Sequence, residues 1–152
     1  MTERTTTPDD LDRGPDRRRE EPDRLGPEEC MRLIAPGGVG RVAFDEPEGP
    51  AVLPVNYAVH NGVVVFRTAF GGPLDDGLRT GVRGAEFKVA FEVDRIDETA
   101  REGWSVLIRG AAHHVEAGEE PSSDVEPWAG GDRGLYVTIT PAEISGRRVR
   151  HG

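Results

Sequence analysis

The amino-acid sequence predicts a mainly β fold, a six-stranded antiparallel barrel with two or three short flanking helices. Three observations predict it. Leu53, Val55, Tyr57 and Val59 alternate with Pro54, Asn56 and Ala58, the period of a half-buried strand. Asn61-Gly62 follows, a two-residue connection that takes positive φ readily and matches the twist of an antiparallel pair. Beyond it, residues 63–68, 88–94, 104–115 and 135–140 read as further strands.

The elements follow in chain order. Residues 1–24 hold 8 acidic and 6 basic residues, three prolines and, besides Met1, one large aliphatic, Leu11. Such a segment cannot bury enough apolar surface to offset its ordering entropy, which predicts a disordered tail and a single domain over 25–152. It lacks the apolar core of a signal peptide. No run in the chain approaches the roughly 18 residues of a membrane span, so a soluble, cytoplasmic protein is expected, with no membrane partner. Gly26-Pro27-Glu28-Glu29 opens a helix, with proline in its first turn and carboxylates near the positive dipole end. Met31, Leu33 and Ile34 give that helix its apolar face, and Gly37-Gly38 stops it. Cys30, the single cysteine, sits inside it and reads as a buried structural thiol. The Gly37-Gly38-Val39-Gly40 run lacks the spacing and the preceding strand of a nucleotide loop, so it reads as a helix end leading into a strand over 39–44.

Leu74, Leu78 and Val82 recur every fourth residue and predict a second short helix, weakened by Gly77 and Gly81. In the strand from Trp104 to Val115, Gly110 marks a bulge or a close backbone approach. A loop with a short helical turn is expected from Pro121 to Gly131. The last strand, Leu135 to Thr140, is expected to end at Pro141.

Charge and residue order bear on function. The formal charge is −9, of which about −2 belongs to the tail, and no basic stripe appears, so nucleic acid is excluded as a partner. Arg67 and Thr68 end a strand. The loop Ala69-Phe70-Gly71-Gly72 then leads to Pro73 at a helix start. Cation, hydroxyl, flexible loop and helix N-terminus in that order make an anion site on a β scaffold, which suggests a phosphorylated cofactor.

Five segments in order carry a family resemblance: Gly40-Arg41-Val42-Ala43, Leu53-Pro54-Val55-Asn56-Tyr57, Phe66-Arg67-Thr68-Ala69, Phe91-Glu92-Val93-Asp94, and Gly103-Trp104-Ser105-Val106-Leu107-Ile108-Arg109-Gly110. Together they resemble the pyridoxamine 5′-phosphate oxidase-like, FMN-binding split-barrel family, in its short single-domain bacterial branch. The likeness spans about Leu25 to Arg148. It implies a homodimer with flavin mononucleotide (FMN) in clefts between the subunits. By the same resemblance, Arg67 and Thr68 would contact the phosphate and ribityl chain, and Pro54, Val55, Asn56 and Tyr57 would line the isoalloxazine edge. Trp104 and Ser105 would approach from the partner, and Ala69 and Leu74 complete the cofactor-binding set. No catalytic acid, base, nucleophile or metal ligand is assigned, because such sites place the redox chemistry on the cofactor. On its strand's apolar phase the Tyr57 ring suits the core, which leaves Asn56 as the better cofactor contact.

One departure stands out. Where family members often carry a lysine, this chain has Pro73, and Asp75 and Asp76 follow. At an effective dielectric of about 20, a carboxylate ~8 Å from a phosphate costs on the order of 2 kcal/mol before screening. Arg79 or Arg83, folding back, would neutralise it. Three function classes remain open: an FMN oxidoreductase acting on a small redox substrate, the same fold holding a deazaflavin or haem, and a non-enzymatic flavin-binding or cofactor-free module. The missing lysine and the two aspartates favour the third. His113 and His114 are adjacent and point to opposite faces, so they cannot share a metal.

Overall fold

Strand alternation and tight turns build the first half of the barrel. The computed structural model describes residues 23–69, 71–80, 86–115 and 134–150, so the helical turn expected between Pro121 and Gly131 lies outside the described residues, as does 1–22 of the expected tail. Strand β1 is Asp23–Leu25 and helix α1 is Pro27–Ile34. Strands β2 (Gly38–Glu46), β3 (Gly49–His60) and β4 (Val63–Thr68) then form an antiparallel meander. The β3–β4 turn uses the predicted pair, with Asn61 at φ 50° and Gly62 at φ 75°. Helix α2 is Pro73–Thr80, followed by β5 (Phe87–Asp97), β6 (Glu102–His114) and β7 (Leu135–Val149).

The sheet runs β1-β7-β4-β3-β2-β5-β6, and an additional β6–β7 pairing closes β2 to β7 into a ring of the expected six strands. The seventh strand, β1, was not expected. It pairs with Gly146, Arg147 and Arg148 of β7 and takes in Asp23 and Arg24, two residues assigned to the tail. Its backbone pairing and Leu25, which packs against the core, hold it, and three residues are too few to carry a periodic signal.

The last strand corrects the sequence reading more substantially. It does not end at Pro141 but continues to Val149. Gly110 pairs with Pro141 and Arg109 with Glu143, leaving Ala142 as an inserted residue at a register shift. A bulge is where a sheet tolerates proline, since the ladder there is already interrupted. Gly110 is required at the same point because an added Cβ would collide with the Thr140 carbonyl. Its predicted close approach and the proline are one feature.

Inward residues fill the barrel in alternation, among them Val42, Phe66, Phe91, Ile108, Val137 and Ile139, all fully buried. The Phe91 ring lies over Gly40, where a Cβ would strike it. Two helices cap the core. Cys30 and Ile34 of α1 are buried, and the Cys30 Sγ packs beneath Gly146; α2 inserts Leu74. Burial raises the Cys30 thiol above its usual pKa, which keeps it in the unreactive form.

Tyr57 ties α1 to the barrel. Its ring meets Phe91 edge-on at 5.1 Å, and its hydroxyl donates to the Ile34 carbonyl at 2.9 Å. Tyr57→Phe leaves that buried carbonyl short of a donor, with an expected cost of about 1 kcal/mol, read as a lower urea midpoint at unchanged slope. An unchanged midpoint would remove this hydrogen bond from the account of α1 docking.

Candidate functional site

The predicted site residues divide between the two faces of the barrel wall. On β4, alternation sends Thr68 inward, where it is 8% exposed, and Arg67 outward. Arg67 and Thr68 therefore do not converge through their side chains. Arg67 is paired in register with Tyr136 of β7, and its guanidinium lies 5.2 Å from that ring's centroid. One residue beyond the last pair, Tyr57↔Phe66, Asn56 and Arg67 are both half-buried on the outer face. Pro54 is exposed on the same face, opposite Arg41. Val55 points inward and Tyr57 and Leu74 are buried in the core, so the last two side chains hold the fold.

Tyr136 was not singled out in the sequence. Its signal was its phase on the last strand, opposite to Leu135, Val137 and Ile139, but only the β4–β7 register tells that it meets Arg67.

Ser105 lies farther round the same outer face. In the closed ring only β7 lies between β4 and β6 on the shorter way round, and along it Arg67 pairs with Tyr136 while Ser105 pairs with Arg147. Tyr136 and Arg147 stand near opposite ends of that strand, so at roughly 3.3 Å per residue Ser105 lies on the order of 30 Å along it from Arg67. Trp104, of inward phase, is flanked in register by Arg95 and Arg148 and lines an open groove of about 670 Å³ with Ile96 and Val149.

The loop and start of α2 hold a second, unexpected arrangement. Asp75 is fully buried. The Gly71 amide donates to its Oδ2 at 2.7 Å, and Arg79 Nε donates to its Oδ1 at 2.7 Å. His114 Nε2 lies 3.6 Å from the same Oδ1. Arg79 thus folds back onto Asp75 in the manner open to it from the sequence; Arg83 lies outside the described residues. Burial alone would raise the Asp75 pKa, but the Gly71 amide and Arg79 outweigh it and hold the carboxyl below its usual value. His113 is exposed and His114 half-buried, on opposite faces as expected. No group of metal-ligating side chains occurs among the described residues.

A carboxylate pair marks the middle of the outer face. Glu92 and Asp94 both face Arg41, at 3.6 and 3.4 Å. Desolvation and the neighbouring Asp94 push Glu92 up to about 7.

Six strands in a ring and a long last strand shared between neighbours define a split β-barrel. The chain belongs to the pyridoxamine 5′-phosphate oxidase family, whose model matches residues 26–148. Three similar proteins accompany that match. An uncharacterized protein of Mycobacterium tuberculosis is 34% identical over 128 residues, covering 82% of this chain and 84% of the relative. The solved structure of a Corynebacterium glutamicum protein superposes with a TM-score of 0.67 at 26% identity, covering 86% of this chain and 94% of that one. The FAD (flavin adenine dinucleotide) binding protein of Mycobacterium smegmatis superposes at 0.61 with 29% identity, covering 84% and 98%. No helix among the described residues is long and apolar enough to cross a membrane.

The two shifted carboxyls give stability opposite pH dependences. Glu92 has a folded pKa above its ordinary value of 4.5, so the folded state holds the extra proton and stability falls as pH rises from about 4.5 through about 7. Asp75 has a lowered folded pKa, so its contribution is present above 3.8 and is lost as pH falls through the lower folded value. Urea midpoints measured between pH 5 and 8 should decline, and Glu92→Gln should flatten that decline. A decline unaffected by Glu92→Gln would place the titration elsewhere.

Proposed function

We propose that the chain is a cytoplasmic, homodimeric, flavin-dependent oxidoreductase acting on a small redox substrate, with each cofactor held between two copies of the chain. FMN is the smallest phosphorylated ligand of this kind. The observation that carries the reading is the position of Arg67 and Ser105 on one convex face, opposite Tyr136 and Arg147 near the two ends of β7. Side chains on a convex wall diverge, so one chain cannot close both around a single ligand, and a second copy laid on this face would bring its Trp104 and Ser105 toward Arg67. Exposed Pro54 and Val52 on the same face, the latter 59% exposed, give such a copy apolar area to cover.

The residues present suit a flavin. Arg67, steadied over Tyr136, offers a cation to a phosphate, and Asn56 on the same face offers an amide to a ring edge. The backbone of β3 at Pro54 and Val55, and that of Thr68 and Ala69 at the end of β4, would border the ring and the ribityl chain. A bound flavin supplies the two-electron chemistry, and the chain's own part is to bind, orient and shield it. The competing reading is a cofactor-free module, favoured by Asp75, which already takes the Gly71 amide.

Two measurements test the proposal. Light scattering at micromolar concentration should give twice the chain mass, and a stable monomer would defeat the two-copy site. Arg67→Ala should weaken a phosphorylated flavin by about 10-fold to 150-fold, the loss of one charge-assisted contact, and riboflavin far less. Equal weakening of both would assign Arg67 to the fold, and no flavin binding by the unmutated protein would leave the cofactor-free module.

A further inference from the structure

What governs the pairing of two copies can be read from the barrel wall, given the two-copy reading above on which this inference rests. Among the described residues, three large apolar side chains are mostly exposed: Val52 at 59%, Ile96 at 61% and Val149 at 51%. All three are of outward phase on their strands. Val52 stands level with Ala43 and Ala90 across β2 and β5, whereas Ile96 and Val149 flank Gly103 in one cross-strand row. On β5 the rise from Ala90 to Ile96 is about 20 Å at roughly 3.3 Å per residue. A closed pair of copies is related by a twofold axis, which sets one patch against itself. An axis through the middle of this wall turns Val52 of each copy toward Ile96 and Val149 of the other. It also turns Lys88, below the Val52 level, toward the opposite charge of Asp97, above Ile96. Midway between the two levels lie Glu92 and Asp94, which share the single cation Arg41 at 3.6 and 3.4 Å. The axis therefore brings two such groups together, each with one uncompensated negative charge, and covers them from water.

We propose that association takes up a proton on Glu92 of each copy, so that the dimer and its flavin clefts are tight in mildly acidic solution and loosen in alkaline solution. Geometry singles out Glu92 as the carrier. Its Oε1 is buried without a hydrogen-bond partner, because Arg41 at 3.6 Å is too far to donate. Leu107 faces Glu92 from β6, and the nearest charge along that strand, Arg109, is paired with Glu143 at 3.4 Å. On β3, beyond Arg41, stands the uncharged Pro54; on β5 itself Lys88 is a full turn of the pleat farther off than Asp94. Desolvation and Asp94 already push Glu92 up to about 7 in the single chain. A covering copy adds desolvation and its own carboxylates, both of which raise the affinity for a proton further. Below about 7 the free chain and the dimer both hold the proton, and association is indifferent to pH. Above it the free chain releases a proton that the dimer must keep, so association weakens as pH rises.

Sedimentation velocity over a dilution series gives the dimer Kd at pH 6 and at pH 8.5. For the unmutated protein, Kd should be at least about tenfold higher at pH 8.5. Glu92→Gln, which has the shape and charge of the protonated acid, should give the tight value at both. If circular dichroism shows Glu92→Gln unfolded, Asp94→Asn takes its place; it removes the same charge and should likewise tighten the dimer at pH 8.5. Val52→Asp should weaken the dimer at both pH values without changing the circular dichroism. One Kd at both pH values in the unmutated protein, or a pH dependence that survives Glu92→Gln, would overturn the role of Glu92. So would secondary structure lost together with the dimer at pH 8.5, which would assign the proton to folding. A dimer untouched by Val52→Asp would overturn the placement of the axis. A monomer at every pH, in the unmutated protein and the variants alike, would overturn the two-copy reading itself, and this inference with it.

Discussion

The structure depends on the double pairing of β7. This strand bonds β6 along almost its whole length, β4 with its first residues from Leu135 to Ile139, and β1 with Gly146 to Arg148. Without it, β4 and β6 would be the two open edges of a five-stranded sheet, and the inward side chains of all the strands would face a cleft. Because one strand serves both edges it must be long, and because the ring is tight it must bend. The inserted Ala142 beside Pro141, opposite Gly110, supplies the bend. The positions of the capping helices follow from closure: α1 packs on β7 through Cys30 and Gly146, and α2 seals another opening with Leu74.

Closure also sets the electrostatics. Capping the barrel with α2 takes Asp75 out of water, and a carboxylate so placed must find donors or lose its charge. It finds the Gly71 amide and Arg79. The first of these contacts holds Gly71 against the helix that follows it, so one amide expected to face a phosphate is taken by an internal anion. On the outer face the burial is only partial, and the Glu92–Asp94 pair meets it by sharing Arg41 and by raising the affinity of Glu92 for a proton.

Much of the fold was legible because period and turn chemistry are local. The alternation of 53–59, the Asn61-Gly62 turn and the buried Cys30 are each readable in a few neighbouring residues. Pro141 misled because a proline's tolerance in a strand depends on its partner, and Gly110 lies 31 residues earlier in the chain. β1 escaped because three residues, of which only Leu25 is apolar, are too short a run to show a period. Of the candidate site, phase alone separated Asn56 from Tyr57, and the core packing of Tyr57 agrees with that reading. The opposed directions of Arg67 and Thr68 follow from the same period of two, yet the family pattern grouped the pair by order along the chain. Tyr136 and His114 come from distant strands, so their approach to Arg67 and Asp75 required the register.

The shared strand has one more consequence, which concerns how the protein stays dispersed. Between the stretch paired with β4 and the stretch paired with β1, residues 140–145 have no strand partner on that edge among the described residues. An uncovered strand edge is a template on which another chain can add, the first step of sheet-mediated aggregation. This edge is a poor template. Pro141 offers no amide hydrogen, Ala142 breaks the spacing of the ladder, and the charged Glu143 comes next. The irregularity that lets the barrel close therefore also guards the gap that closure leaves.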